Sequence, residues 1–297
     1  MKLNTYFIEG GVGKCVAFTS LIPKLVEKAG QKIQIHTPYV DCFAHNPEIL
    51  NIFNGPFNHP EILKSDNIFY CEPYKSNFIF GTEHLIESYC NLFDVKYEEN
   101  LVPKLYTSVY KDRANSWLRK NNIVNYMMIQ FSGGQPPLGW NANNAYQSFN
   151  PGRNYPPYLA AKVIEKINQK FPNLTIIDCT LPNEPAFNGT IKCDEQYFII
   201  HEMLKQAEGF IGIDSCLNHF SASAGTSGVV IWGNTRWTQF GYTHNTNLHY
   251  FMEPDKWNES KYIDGDPRNV MVDPDIVFNE YVKVKDIKNR KISCLFK

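Results

Sequence analysis

Short apolar runs alternate with longer amphipathic ones along most of the 297-residue sequence, and that alternation is the signature of βα units. Residues 5–9 read as a strand, 15–28 as a helix with Leu21, Leu25 and Val26 on one face, and 32–36 as the next strand. A helix over 83–92 follows, and then a polar helix over 112–121 that leads into a strong strand over 123–131. There the rhythm restarts. A loop rich in Gly, Pro and Asn (132–157) precedes a helix over 158–171, a strand over 174–178, a helix over 194–207 and a strand over 210–213. A short helix over 217–224 and a strand over 228–232 complete the series. At roughly 150 residues per domain the length fits about two domains. The predicted fold class is therefore α/β, with two Rossmann-like βαβ domains over 1–122 and 123–270 and a tail, 271–297, that returns to the first. Domains of this kind in tandem face a central cleft at the carboxyl ends of their strands, where open α/β sheets bind ligands.

Composition removes several classes of function. Lys plus Arg (29) nearly cancels Asp plus Glu (30), so the net charge of −1 does not indicate a nucleic-acid or membrane partner. No run reaches the roughly 18 apolar residues of a transmembrane segment, and the start lacks a signal-peptide pattern, so the chain reads as cytoplasmic. The eight cysteines are scattered singly without a Cys-x-x-Cys pair, which speaks against a zinc site or a disulfide framework. No metal and no resident cofactor are expected.

Two segments carry chemistry. The first, Glu9-Gly10-Gly11-Val12-Gly13-Lys14, joins the first strand to the first helix. Gly10, Gly11 and Gly13 allow a tight turn and close backbone approach to an anion or a sugar. Read as a phosphate loop it resembles the ParA and MinD ATPases, but Cys15 stands where a Thr would hold magnesium and Glu9 replaces the leading Lys. A plain tight turn is the alternative. The second segment runs Phe210-Ile211-Gly212-Ile213-Asp214-Ser215-Cys216-Leu217-Asn218-His219, continues through small residues to Gly225, and is followed by Val229 to Thr235. A strand that ends in Asp-Ser and opens a helix brings hydroxyl, backbone N–H and helix dipole to one spot, which suits a diphosphate. The alternative here is that Ser215 only caps the helix and His219 is a core histidine.

The second segment resembles the donor-binding segment of glycosyltransferase family 9, the ADP-heptose:lipopolysaccharide heptosyltransferases, with Cys216 where the family has Gly. The Gly10 to Gly13 loop is similar to the family's opening loop, and the helix near His84 to its middle helix. Gln130-Phe131-Ser132-Gly133-Gly134 with Arg153-Asn154-Tyr155-Pro156 resembles the start of its second domain. The resemblance implies a GT-B fold and a metal-independent, inverting transfer of sugar from a nucleoside diphosphate sugar. It further implies that Asp214, Ser215, Leu217, Asn218 and His219 line the diphosphate and that Arg153 contacts donor phosphate. Gln130, Ser132 and Gly133 would face the same site, and Glu184 would take the ribose hydroxyls.

The family has its catalytic Asp where this chain has Lys14, a cation suited to phosphate or an anionic acceptor. Glu9 and Asp41 are then the candidate carboxylates for deprotonating the acceptor hydroxyl. The acceptor is a glycan or lipopolysaccharide-like hydroxyl, and a basic stretch over 283–297, with six Lys or Arg against one Asp, keeps a modified DNA base open as another. The long loop over 135–155, with Trp140 and Tyr146, reads as a lid or sugar platform, or as an ordinary insertion. Two further readings stand beside this one: a ParA- or MinD-like ATPase, and a non-catalytic descendant that binds a nucleotide sugar without transferring it.

Overall fold

The computed structural model describes residues 3–54, 62, 64–79, 81–133, 153–180, 184–233, 235–249 and 272–295. The loop over 135–155 lies largely outside the described residues. The chain divides into two units, Met1–Val109 and Tyr110–Lys297.

In the first unit, strands β1 (Asn4–Phe7), β2 (Ile33–His36), β3 (Ile49–Phe53) and β4 (Asn67–Tyr70) form one parallel sheet in the order β3-β2-β1-β4. The single helix expected over 15–28 is two helices, α1 (Val12–Phe18) and α2 (Ile22–Ala29). The break is local chemistry. The Thr19 and Ser20 hydroxyls donate to the carbonyls of Val16 and Ala17 at 2.6 and 2.7 Å, and Pro23, which lacks an N–H, sits at the start of α2. After β4 come a short α3 (Ser76–Ile79) and α4 (Leu85–Leu92), the latter closed by a capping box in which His84 and Glu87 exchange bonds with the backbone. Aromatic rings fill the core: Tyr6 stacks on Phe69 at 4.9 Å, and Phe18 meets Tyr89 edge-on at 5.2 Å.

The second unit opens with α5 (Lys111–Lys120), whose buried Ala114 and Leu118 pack with α7 (Tyr197–Leu204). That packing places the division of the chain at 109/110, ahead of the boundary at 122 suggested by the rhythm. Six parallel strands follow in the order β10-β9-β8-β5-β6-β7. They are β5 (Tyr126–Gln130), β6 (Thr175–Asp178), β7 (Ile191–Lys192), β8 (Phe210–Ile213), β9 (Gly228–Trp232) and β10 (Thr246–His249). Between them lie α6 (Pro157–Lys170), α8 (Cys216–Ala224) and α9 (Trp237–Phe240). The tail is α10 (Pro274–Leu295); Val277 and Tyr281 are buried in this unit's core, and Tyr155 donates to the Val272 carbonyl at 2.6 Å. The tail helix packs along α6 and β9. No described helix is long and apolar enough to cross a membrane.

Helix α7 is buried on every side from Phe198 to Leu204, His201 included. Burial, reinforced by the Lys205 charge, pulls the His201 imidazole down from 6.5 to about 3. The unfolded chain takes up that proton near pH 6.5 and the folded one does not. Stability is therefore complete above about pH 6.5 and falls as pH drops toward 3, by about 1.4 kcal/mol per unit. Denaturant unfolding should show a fall of about 1.4 kcal/mol in total between pH 7.5 and 5.5, steepening to the full slope below that, and His201→Leu should flatten it. A slope unaltered in the variant would assign the acid sensitivity to other groups.

Candidate functional site

In each sheet the chain runs outward from one strand in one direction and then returns to its other side. Such reversals, between β1 and β4 and between β5 and β8, create the crevices where parallel sheets bind ligands.

At the second reversal the buried Gln130 closes β5, and its Oε1 accepts from the Leu217 N–H at 3.3 Å, in the first turn of α8. Gly133 lies so close to the end of β8 that a Cβ there would stand 2.6 Å from Ser215 Oγ. Only a glycine lets the β5 loop and the β8 elbow approach in this way. The Gly133 N–H is held by Asn154 Oδ1 at 3.1 Å. Arg153 donates through Nε to the Asp214 carbonyl, and its Nη2 lies 3.5 Å from Asp214 Oδ2. The Asp214 side chain is buried, while a third of the Arg153 side chain is exposed. Ser132 donates to Glu184, which ties the β5 loop to the segment after β6.

Of the residues singled out in sequence, the structure brings together Gln130, Ser132, Gly133, Arg153, Glu184, Asp214 and Ser215. The side chains of Leu217, Asn218 and His219 turn elsewhere. Leu217 is in the core, Asn218 donates to the Phe240 carbonyl at 2.9 Å and accepts from Asn245 at 3.3 Å, and His219 Nδ1 meets Tyr242 Oη at 2.9 Å. These bonds hold α8 against the loop that follows α9, so Asn218 and His219 set the position of the helix. Cys216, in the place of the family glycine, receives weak bonds from Gln130 and Ser215, each at 3.9 Å. Burial pushes its thiol up, which keeps it protonated and unsuited to act as a nucleophile.

At the first reversal Gly10 adopts a left-handed conformation with φ at 101°, and Lys14 folds back over it. The side chain of Lys14 is buried. Its Nζ meets Glu72 Oε2 at 2.9 Å and sits 4.6 Å from the centre of the Tyr74 ring. Cys15 is wholly buried with Sγ 3.5 Å from Thr37 Oγ1, so position 15 offers no exposed hydroxyl of the kind a magnesium-binding phosphate loop uses. Glu9 and Asp41 are exposed, Asp41 on a single 3-10 turn, Val40–Cys42. The carboxylate that meets Lys14 is Glu72, which sequence reasoning passed over. The signal for it was a strand end: the apolar run Ile68-Phe69-Tyr70-Cys71 ends at Glu72, two residues beyond β4.

No protein-family model matches the sequence, and no curated protein matches it either. Solved structures do match. A family 9 glycosyl transferase from Veillonella parvula superposes with a TM-score of 0.72 at 13% identity, over 96% of this chain and 97% of that one. The ADP-heptose lipopolysaccharide heptosyltransferase II of E. coli gives 0.69 at 10% identity, over 97% and 100%. E. coli heptosyltransferase WaaC with ADP gives 0.58 at 7% identity, over 96% and 100%. Over nearly its whole length this chain has the GT-B fold of the family 9 heptosyltransferases.

Proposed function

We propose that the protein is a glycosyltransferase that moves a sugar from a nucleoside diphosphate sugar to an acceptor hydroxyl, with inversion and without a metal. The observation that carries this reading is the elbow after β8, where Arg153, Ser215 and the first turn of α8 converge beside the cleared position of Gly133. A partly exposed arginine, a hydroxyl and a helix dipole supply positive potential at one place, which stabilises a departing diphosphate. That potential stands where a metal would otherwise neutralise the leaving group. A single displacement, with attack opposite the leaving diphosphate, inverts the anomeric centre. WaaC structures with ADP and with ADP-2-deoxy-2-fluoro heptose make an adenosine diphosphate sugar the first donor to try.

A glycan hydroxyl is the favoured acceptor. The lysines described in the basic stretch are occupied within their own unit: Lys283 pairs with Glu280 at 2.5 Å, Lys285 with Glu208 at 3.3 Å, and Lys288 donates to the Ala207 carbonyl at 2.6 Å. Such pairing lowers the net positive charge that the described part of the stretch offers to DNA.

Thermal melting against nucleoside diphosphates, nucleotide sugars and ATP, each with and without magnesium, tests the reading. A ligand at 100 times its Kd stabilises the native state by about 2.7 kcal/mol. One nucleoside diphosphate or its sugar should raise the melting temperature without metal. Stabilisation by magnesium ATP alone would overturn the reading in favour of an ATPase.

A further inference from the structure

β6 and β7 run parallel at one edge of the second sheet, with Ile177 opposite Ile191 and Asp178 opposite Lys192. One step further along that register Cys179 stands opposite Cys193, and the Cys193 N–H continues the ladder to the Asp178 carbonyl at 2.8 Å. Both cysteines are buried, and their thiols are hydrogen-bonded to each other. That bond pulls the Cys193 thiol down and pushes the Cys179 thiol up, so Cys193 is the one that reacts first as a thiolate. Neighbouring strands stand about 4.7 to 4.9 Å apart, whereas a disulfide holds its Cβ atoms about 3.5 to 4.5 Å apart, so an S–S bond here draws β7 toward β6. β7 can yield and open to solvent at little cost, because it is two residues long, half-exposed and at the sheet edge. A disulfide closed against the sheet spacing is strained, and strained disulfides are the readily reduced ones.

The pair is also tied to the framework of the β8 elbow. The Cys179 N–H donates to the Ile129 carbonyl at 2.8 Å, one residue ahead of Gln130, whose Oε1 holds the Leu217 N–H at the start of α8. Thr180, the next residue, donates its N–H to Asp178 Oδ1 at 3.0 Å, and its hydroxyl accepts from Lys192, the neighbour of Cys193. A shift of β7 therefore acts on Thr180 through Lys192 and on the end of β5 through Cys179.

We propose that Cys179 and Cys193 form a reversible disulfide when a peroxide reaches the protein, and that closing it weakens nucleoside diphosphate binding at the β8 elbow. The second part rests on the glycosyltransferase reading above. The Cys193 thiolate attacks one oxygen of hydrogen peroxide, the O–O bond breaks, and a sulfenic acid and hydroxide result. The Cys179 sulfur then displaces hydroxide from the sulfenic acid and forms the S–S bond. Two thiols are oxidised and the peroxide is reduced; its two oxygens leave as water with the two thiol protons. A reducing thiol reverses the step by exchange.

The test treats the full chain with hydrogen peroxide and maps its disulfides by mass spectrometry of unreduced peptides. Calorimetric binding of ADP, GDP, UDP and CDP is measured before oxidation, after it and after dithiothreitol. The Cys179–Cys193 cross-link should form, the affinity for the nucleoside diphosphate that binds should fall by about tenfold, and dithiothreitol should reverse both. Cys179→Ala and Cys193→Ala should bind like the reduced protein and lose the response to peroxide, whereas Cys90→Ala, in the first unit, should keep it. Consumption of peroxide without this cross-link, or a cross-link of Cys179 to Cys216, overturns the pairing. A Cys179–Cys193 cross-link that leaves the affinity within about twofold overturns the switch. If the reduced protein binds none of the four nucleotides, the effect on donor binding falls together with the donor site, and the disulfide is decided by the mapping alone. The mapping uses the unmodified protein, so it decides the pairing even where an alanine variant fails to fold.

Discussion

Arg153→Ala is expected to weaken nucleoside diphosphate binding by about 10- to 150-fold, the loss of a hydrogen bond to a charged group worth about 1.5 to 3 kcal/mol. Two effects combine in that variant. The positive charge next to the elbow is lost, and Asp214 loses its two contacts with Arg153, one to its carbonyl and one to its buried carboxylate. An unpaired buried carboxylate also lowers stability, so the melting temperature should fall. The two effects separate in Arg153→Ala with Asp214→Asn, which should recover much of the melting temperature and none of the affinity. Arg153→Lys keeps a point charge and loses the planar fork, and should fall between the two. Titration calorimetry of the four proteins decides the matter. Unchanged affinity in Arg153→Ala would move the diphosphate away from the β8 elbow.

Gly228→Ala should be the most damaging small substitution in the second sheet. Gly228 opens β9 directly opposite Phe210 of β8. A Cβ there would stand 2.2 Å from Phe210 Cδ1 and 2.5 Å from the Phe210 carbonyl oxygen. The ring is fully buried and the oxygen belongs to the strand itself, so neither can move without displacing the sheet. Overpacking of this kind costs about 3 kcal/mol, the upper end of its usual range, which lowers the melting temperature by about 6 to 12 °C. Two controls isolate the cause. Gly225→Ala has open space around it and meets only its left-handed φ of 69°, so it should cost about 1 kcal/mol. Gly11→Ala has open space and no positive φ, and should be close to neutral. If Gly228→Ala melted like Gly11→Ala, the close packing of β8 on β9 would be refuted.

The central strands and the helices between them were legible because each carries its own pattern. β5, β8 and β9 are buried along their whole length and read as continuous apolar runs, and the observed β8 and β9 have the bounds expected for them. The strands that escaped notice, β3, β4, β7 and β10, are the edge strands of the two sheets, short and only partly buried. The split between α1 and α2 escaped because Thr19 and Ser20 fit a helical pattern until their hydroxyls bond back to the preceding turn.

The candidate site divides in the same way. The Asp214–Ser215 elbow lies within one stretch of chain that runs into α8, so its polar groups could be read in order along the sequence. Whether Asn218 and His219 face a ligand or the interior could not, because that depends on Phe240, Tyr242 and Asn245 returning beneath the helix. The pairing of Lys14 with Glu72 spans 58 residues and exists because β4 was placed beside β1. The sequence by itself determined the βα rhythm, the buried strands and the polar elbow after β8, since hydrophobic periodicity and turn chemistry act between near neighbours. Only the tertiary structure decided which strand ends meet and which carboxylate stands at the Gly10 loop. Strand order is set by how whole layers pack, and no local stretch of residues encodes it.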